Sequence, residues 1–114
     1  MLNNWAEQLS NTRKAAVNLT ENNPKFVQAY QALNAEQGAN DALDARTREL
    51  IALAVAVTTR CDGCIASHAN AARKAGVTEA ELSAALSTAI ALNAGAAYVY
   101  SIRAMEAFSQ FEAK

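Results

Sequence analysis

Residues that favour β-structure are in short supply in this chain of 114 residues. Aromatic residues make up 6% of the sequence and there is one proline, whereas Ala supplies about one residue in four. A sandwich, a barrel or a parallel sheet needs runs of β-branched and aromatic residues, and Ala is the strongest helix former. The composition therefore excludes a β-rich architecture and predicts one small all-α domain over residues 1–114.

The sequence is also poor in charged residues. Charged residues make up 18% of the chain and its net charge is −1, whereas the surface of a small domain usually carries roughly 25–35% charged residues. No basic stripe is present, which argues against nucleic acid as a partner. Residues 82–102 lack charge and are long enough to span a bilayer, but their Ser, Thr and Asn93 favour burial between copies of the chain. We expect a homo-oligomer with no membrane contact.

Targeting signals are also missing from the start of the sequence. The first twelve residues are polar and lack the basic-then-apolar pattern of a secretory signal. We therefore expect a cytoplasmic location.

Hydrophobic spacing and capping residues predict about six helices. Pro24 suits the first position of a helix, and Gly76 suits the position after a last turn. Asp44 is a suitable N-cap, and Thr78 with Glu81 predicts a capping box. The first five helices are expected at about residues 4–19, 24–38, 44–59, 61–76 and 78–93, with a kink or break at 93–95, and a sixth is expected to contain Tyr98, Ile102, Met105 and Phe108.

The body of the third predicted helix, residues 50–59 (LIALAVAVTT), contains no charged residue. A helix that is apolar on all sides is a buried helix. Glu49 stands directly before this run, and we expect the carboxylate to be drawn toward the interior with it.

Both cysteines and the only histidine lie within residues 61–68. If a helix begins at Cys61, a turn of about 100° per residue places Cys61, Cys64 and His68 in a sector of about 60°. Cys64 and His68 are also four residues apart, and such pairs are neighbours on a helix surface. The three groups are therefore expected on one stripe.

This arrangement is typical of a redox-active dithiol. A helix N-terminus and a nearby cation such as Arg60 lower the pKa of a thiol and so favour the reactive thiolate. A second thiol three residues away can attack a sulfenic acid or mixed disulfide formed on the first. His68 can accept the thiol proton, and Glu49 can orient His68 or take the proton through water.

Other interpretations use the same residues. A structural disulfide would close a loop too short to constrain the unfolded chain strongly. A zinc site would use Cys61, Cys64 and His68 and would need a fourth ligand, from Glu49 or a second subunit. The cysteines and histidine can also be buried groups with no chemical role. A c-type haem requires His directly after the second Cys, where Ile65 stands. We expect neither a metal nor a cofactor.

The sequences RELIALA at 48–54, CDGC at 61–64 and AARKAG at 71–76, together with His68, resemble the AhpD-like alkylhydroperoxidase group of the carboxymuconolactone decarboxylase family. The similarity covers about residues 43–92, the expected core of the domain. It implies an all-α fold and a trimer or hexamer. It also implies reduction of a hydroperoxide or disulfide at the expense of an external thiol donor, of protein or lipoyl type.

The resemblance further implies a role for each site residue. Cys64 corresponds to the more buried thiol, Cys61 to its more exposed disulfide partner, and His68 with Glu49 to a proton relay. The family pattern has another His just before the second Cys, where Gly63 stands here. Two alternative functions stay open: a lyase for a lactone acid with His68 and Glu49 as acid and base, and a non-enzymatic helical oligomer whose cysteines bind a metal or sense oxidation.

Overall fold

The structure, a computed structural model, describes residues 1–111 and 113. Within these residues it contains five α-helices and no strand. The all-helical prediction is confirmed, and the number of helices is one smaller than expected. The helices are α1 (Trp5–Asn22), α2 (Pro24–Gln37), α3 (Ala45–Thr59), α4 (Asp62–Lys74) and α5 (Glu79–Gln110).

The residues predicted to cap or begin helices are found at the starts of α2, α3 and α5. The Asp44 side chain accepts a hydrogen bond from the Thr47 N–H at 2.8 Å, which satisfies one free amide at the start of α3. Thr78 and Glu81 form the expected reciprocal capping box at the start of α5. Pro24 is the first residue of α2.

The turn between α4 and α5 depends on Gly76, which has a φ of 84°. Its N–H donates to the Arg73 carbonyl at 3.1 Å, and the Val77 N–H donates to the Ala72 carbonyl at 3.0 Å. This is the hydrogen-bond pattern of a Schellman motif, in which glycine adopts the left-handed conformation at low cost. The motif returns the chain onto the core, where Val77 and Ala72 are both buried.

The break expected at residues 93–95 is wrong, because α5 continues through it for 32 residues. The Asn93 amide donates to the Ala89 carbonyl at 2.8 Å and to Thr58 Oγ1 of α3 at 2.9 Å. It therefore fastens α5 to α3 without disturbing the helical backbone. Gly95 inside a helix costs only about 1 kcal/mol relative to Ala, which is too little to end so long a helix.

The core lies between α3, α4 and the first half of α5. Leu53, Ala72 and Val77 form its centre, and Leu50 and Leu82 pack against them from the edge. The remaining buried residues are alanines, whose small side chains let helices pack closely: Ala56, Ala66 and Ala89.

The uncharged run at residues 50–59 is less buried in the single chain than its composition predicts. Leu53 and Ala56 are buried, whereas Ile51, Val55 and Val57 are exposed. The reason is that, among the described helices, α4 and α5 alone pack against α3.

Much of the remaining apolar surface has no partner within the chain. No residue of α1 or α2 is buried. The radius of gyration is 19.0 Å, whereas about 13 Å is typical of a compact domain of this length. The accessible area is 9188 Å², against about 6,000 Å² for a compact monomer of this mass. The exposed residues in the second half of α5 include Tyr98, Val99, Tyr100, Ile102, Met105 and Phe108.

Among the described helices, α5 alone is long and apolar enough to cross a membrane. This result depends on length and composition, and core helices of soluble proteins pass the same test.

Candidate active site

The link between α3 and α4 brings the two cysteines to the end of the apolar helix. Arg60 has φ 55° and ψ 51°, the left-handed conformation, which costs a residue with a Cβ roughly 1–2 kcal/mol. After this residue the Cys61 N–H donates to the Ala56 carbonyl at 3.1 Å. The chain thereby reverses direction and starts α4 beside the last turn of α3.

Cys61 is the N-cap of α4, and its Sγ accepts a hydrogen bond from the Cys64 N–H at 3.1 Å. The helix therefore begins one residue later than the stripe prediction assumed, and Cys61 has extended backbone dihedrals. The two cysteines form a disulfide with their Cα atoms 5.2 Å apart, within the usual range for such bonds. Cys64 and His68 keep the expected spacing of four residues on α4.

The order of burial of the two cysteines is the reverse of the expected order. In the single chain Cys61 is half-buried and Cys64 is exposed. As the N-cap, Cys61 turns its sulfur toward the first amides of α4. Cys64 lies one turn further on and borders an open cleft.

Glu49 and His68 meet across the contact between α3 and α4. Glu49 Oε2 lies 2.7 Å from His68 Nδ1, and their side chains are 20% and 28% exposed. A carboxylate only accepts hydrogen bonds, so Nδ1 is the donor in this pair. A neutral His68 then presents Nε2 as its free proton acceptor.

A cleft of about 260 Å³ lies between residues of α2, α3 and α4, and His68 and Cys64 are among the residues that line it. Cys64 and His68 border it from α4, and apolar residues of α3 such as Val55 border it from a second side. The third side is the end of α2, through Asn34 and Gln37. The sequence analysis missed these two amides, because only tertiary structure brings α2 to the cleft.

Arg48 is a second residue that the sequence analysis did not single out. Its guanidinium donates to the backbone carbonyls of Gly38 at 2.9 Å and Leu43 at 2.7 Å, and also to that of Asn40. These bonds fasten the loop after α2 to the start of α3, one residue before Glu49. Arg48 therefore connects the α2 side of the cleft to the α3 side.

Gly63, where the family pattern has a second histidine, lies against α1. A Cβ on Gly63 would stand 3.6 Å from Thr12 Cγ2, which is ordinary contact distance. Gly63 therefore lies at the contact between α1 and α4.

Within the described residues, no three His, Cys, Asp or Glu side chains stand close enough together to hold a metal ion. Glu49 is engaged with His68, and the two sulfurs are joined to each other. The four ligands of the zinc interpretation are therefore not assembled within the described part of one chain.

Away from the cleft, an ion pair supports the start of α5. The Arg46 guanidinium bonds to the Glu81 carboxylate and, with the Thr78 backbone amide, lowers the pKa of Glu81 to about 2. This pair joins the first turn of α3 to the first turn of α5 and so supports the core rather than the cleft.

The sequence model of the carboxymuconolactone decarboxylase family matches residues 24–107. The chain belongs to this family. The matched region contains Glu49, both cysteines and His68, and it begins after α1. The resemblance of these residues to the family is thereby confirmed.

Three similar proteins extend the comparison. An uncharacterised protein from Haemophilus influenzae is 60% identical over 109 residues, which are 96% of each chain. A protein from Paracoccus denitrificans, described as uncharacterised protein 4 in the cox locus, is 38% identical over 84 residues, 74% of this chain and 76% of its own. The crystal structure of a carboxymuconolactone decarboxylase family protein from Legionella pneumophila matches with a TM-score of 0.73 and 29% identity, over 94% of this chain and 96% of that one. The fold is therefore that of the family.

Proposed function

We propose that the protein is a dithiol oxidoreductase that reduces hydroperoxides and cycles between a Cys61–Cys64 dithiol and disulfide. The observation that carries the proposal is the 2.7 Å contact of Glu49 with His68, since His68 borders the same cleft as Cys64. His68 is four residues from Cys64 on α4, and an imidazole oriented by a carboxylate next to a thiol is an arrangement that activates a sulfur nucleophile. Membership of the family is compatible with this chemistry.

The first step oxidises Cys64. His68 Nε2 takes the Cys64 thiol proton, and the thiolate attacks the terminal oxygen of the hydroperoxide ROOH. The O–O bond breaks, a sulfenic acid forms on Cys64, and the alkoxide leaves with the proton from His68 as the alcohol ROH. Cys64 is the attacking residue because it is exposed and borders the cleft, whereas Cys61 is half-buried at the helix cap.

The second step forms the disulfide and the third restores the dithiol. Cys61 attacks the Cys64 sulfenic sulfur, and hydroxide leaves and takes up the Cys61 proton as water. An external dithiol then exchanges with the Cys61–Cys64 disulfide and becomes a disulfide itself. The sum is ROOH and a dithiol converted to ROH, water and a disulfide. Such a cycle fits the cytoplasm, where thiol reductants are abundant.

Two single substitutions separate the roles of the sulfurs. With prereduced protein and cumene hydroperoxide, Cys61→Ser should consume about one equivalent of peroxide and retain a sulfenic acid on Cys64, detected by dimedone labelling and mass spectrometry. Cys64→Ser should consume none. Ser87→Ala, on α5, is the control and should behave as wild type. Peroxide turnover that survives Cys64→Ser unchanged would exclude the mechanism.

We propose that the working form is a homo-oligomer. The support is the excess of accessible area over that of a compact monomer, together with the exposed aromatic and aliphatic side chains of α2 and α5. Analytical ultracentrifugation should give a mass of three or six chains at micromolar concentration. Ile102→Glu, in the exposed half of α5, should dissociate it, whereas Lys14→Glu should not. A stable wild-type monomer would contradict the proposal.

A lyase acting on a lactone acid is the second candidate, because the Glu49–His68 pair can transfer protons without a thiol. The two functions respond differently to alkylation of the reduced cysteines with iodoacetamide. The oxidoreductase loses activity, and a lyase that uses only Glu49 and His68 keeps it.

A further inference from the structure

The side of the cleft that faces the dithiol is formed by two amide side chains. Asn34 and Gln37 are three residues apart near the end of α2 and therefore share one face of that helix. They border the same cleft as Cys64 and His68. Within the described chain neither amide group makes a hydrogen bond to another protein group, so their donors and acceptors are free for a bound molecule.

The other borders of the cleft carry no positive side chain. Among the described residues that line it, none is Lys or Arg, and the α3 side is formed by small apolar residues such as Ala52 and Val55. Behind His68 lies the Glu49 carboxylate. A negatively charged molecule in the cleft would therefore be near a carboxylate, with no Lys or Arg among the described lining residues to offset the repulsion.

The amide side of the cleft is also held in place. Among the helices, α2 packs on α1 and reaches α3 and α4 only across the cleft. The loop that follows it is bonded by Arg48 to the start of α3. The chain that follows Gln37 is thereby tied to the helix that carries Glu49.

We propose that Asn34 and Gln37 determine the specificity of the dithiol site, and that the cleft takes an uncharged organic hydroperoxide whose peroxy oxygens hydrogen-bond to these amides. This inference rests on the proposed function. An amide N–H can donate to a peroxy oxygen, and an amide C=O can accept from the terminal O–H. The two side chains therefore match both the acceptors and the donor of the hydroperoxide. A volume of about 260 Å³ accommodates a compact body such as that of cumene hydroperoxide.

The test measures the second-order rate constant for oxidation of the prereduced full-length protein by cumene hydroperoxide and by its para-carboxylate analogue. Wild type should react at least about tenfold faster with the neutral peroxide. Asn34→Leu and Gln37→Met should each slow that reaction by about fivefold, the effect of one lost hydrogen bond. The pKa of the Cys64 thiol, measured from the ultraviolet absorbance of the thiolate, should stay unchanged in both variants. A general distortion of the site would change it.

Gln28→Met is the matched control. Gln28 lies on the same helix, about 180° around it from Gln37, and its substitution should leave both rates unchanged. The inference is overturned if Asn34→Leu and Gln37→Met match Gln28→Met, or if the carboxylate analogue reacts as fast as the neutral peroxide. Either result can occur while peroxide reduction itself is intact.

Failure of the proposed function gives a different pattern, in which wild type consumes neither peroxide. The selectivity of the cleft is then measured by thiol–disulfide exchange with neutral hydroxyethyl disulfide and with anionic dithiodipropionate. A preference for the neutral disulfide that weakens in Asn34→Leu and Gln37→Met supports the amide surface. Equal rates for the two disulfides, or no reaction with either, overturn the inference.

Discussion

Glu49 of α3 accepts a hydrogen bond from Nδ1 of His68 of α4 at 2.7 Å. Because the carboxylate fixes which ring nitrogen carries the hydrogen, the basic nitrogen of a neutral ring is Nε2, on the far side of the ring from Glu49. The contact joins two helices whose shared core contains Leu53 and Ala72. Packing of this core therefore sets the geometry of the pair.

Glu49→Gln should lower the rate of hydroperoxide reduction by about tenfold or more while both cysteines still form a disulfide. A neutral amide stabilises the protonated imidazole less and can accept or donate at Nδ1, so the proton transfer loses its direction. The measurement is the pH dependence of the second-order rate constant for Cys64 oxidation. Glu21→Gln, in the last turn of α1, is the control. An unchanged pH profile in Glu49→Gln would remove the carboxylate from the relay.

Arg48→Met should loosen the loop at residues 38–43, because three backbone carbonyls lose their donor. We expect a loss of about 1–2 kcal/mol in the free energy of unfolding and faster amide hydrogen exchange in this loop. Arg48→Lys should recover only part of the loss, since an ammonium group cannot reproduce the fork of the guanidinium. Arg13→Met on α1 is the control. Normal exchange in the loop of Arg48→Met would show that the clamp is dispensable.

Two glycines are expected to respond in opposite directions to the same substitution. Gly76→Ala should lower stability by about 1 kcal/mol, because φ is 84° there and a Cβ is strained. Gly95→Ala should raise it by about 0.5–1 kcal/mol, because Gly95 is helical and a Cβ there meets nothing within 4 Å. Urea unfolding of both variants gives the comparison. A destabilised Gly95→Ala would indicate that another chain packs closely at this position.

Glu81 should make the stability depend on pH in the acid range. Its pKa is lowered from 4.5 to about 2 by Arg46 and Thr78, so its contribution is complete above about pH 4.5 and is lost as the pH falls through about 2. Glu81→Gln lacks this dependence. The difference in unfolding free energy between wild type and Glu81→Gln should be largest at neutral pH and should shrink between pH 4.5 and 2. A constant difference would mean that the ion pair contributes nothing in solution.

Local sequence signals predicted the starts and ends of the helices well. Asp44, Pro24 and the Thr78–Glu81 box act on backbone groups a few residues away. The helix starts that they produce can therefore be predicted without knowledge of the tertiary structure. The predicted break at residues 93–95 is wrong because the contact that matters there is distant in the sequence. Asn93 finds a distant partner in Thr58, and this contact stabilises the continuous helix.

The candidate site was predictable in its residue types and only partly in its geometry. Cys64 and His68 share a helix, so their spacing alone indicated that they are neighbours. The helix begins after Cys61, and the sulfur that caps it is the less exposed one, a detail set by the reversal at Arg60. Asn34 and Gln37 carried no signal, because α2 faces α3 and α4 only across the cleft.

The central claim is that Cys61 and Cys64 together reduce a hydroperoxide, and one stoichiometric measurement tests it most directly. Prereduced wild-type protein is mixed with one equivalent of cumene hydroperoxide per chain, quenched with acid, alkylated and analysed by peptide mass spectrometry. The account predicts one cumyl alcohol formed for each Cys61–Cys64 disulfide, with the peroxide exhausted. Peroxide left intact beside two alkylated cysteines would contradict it.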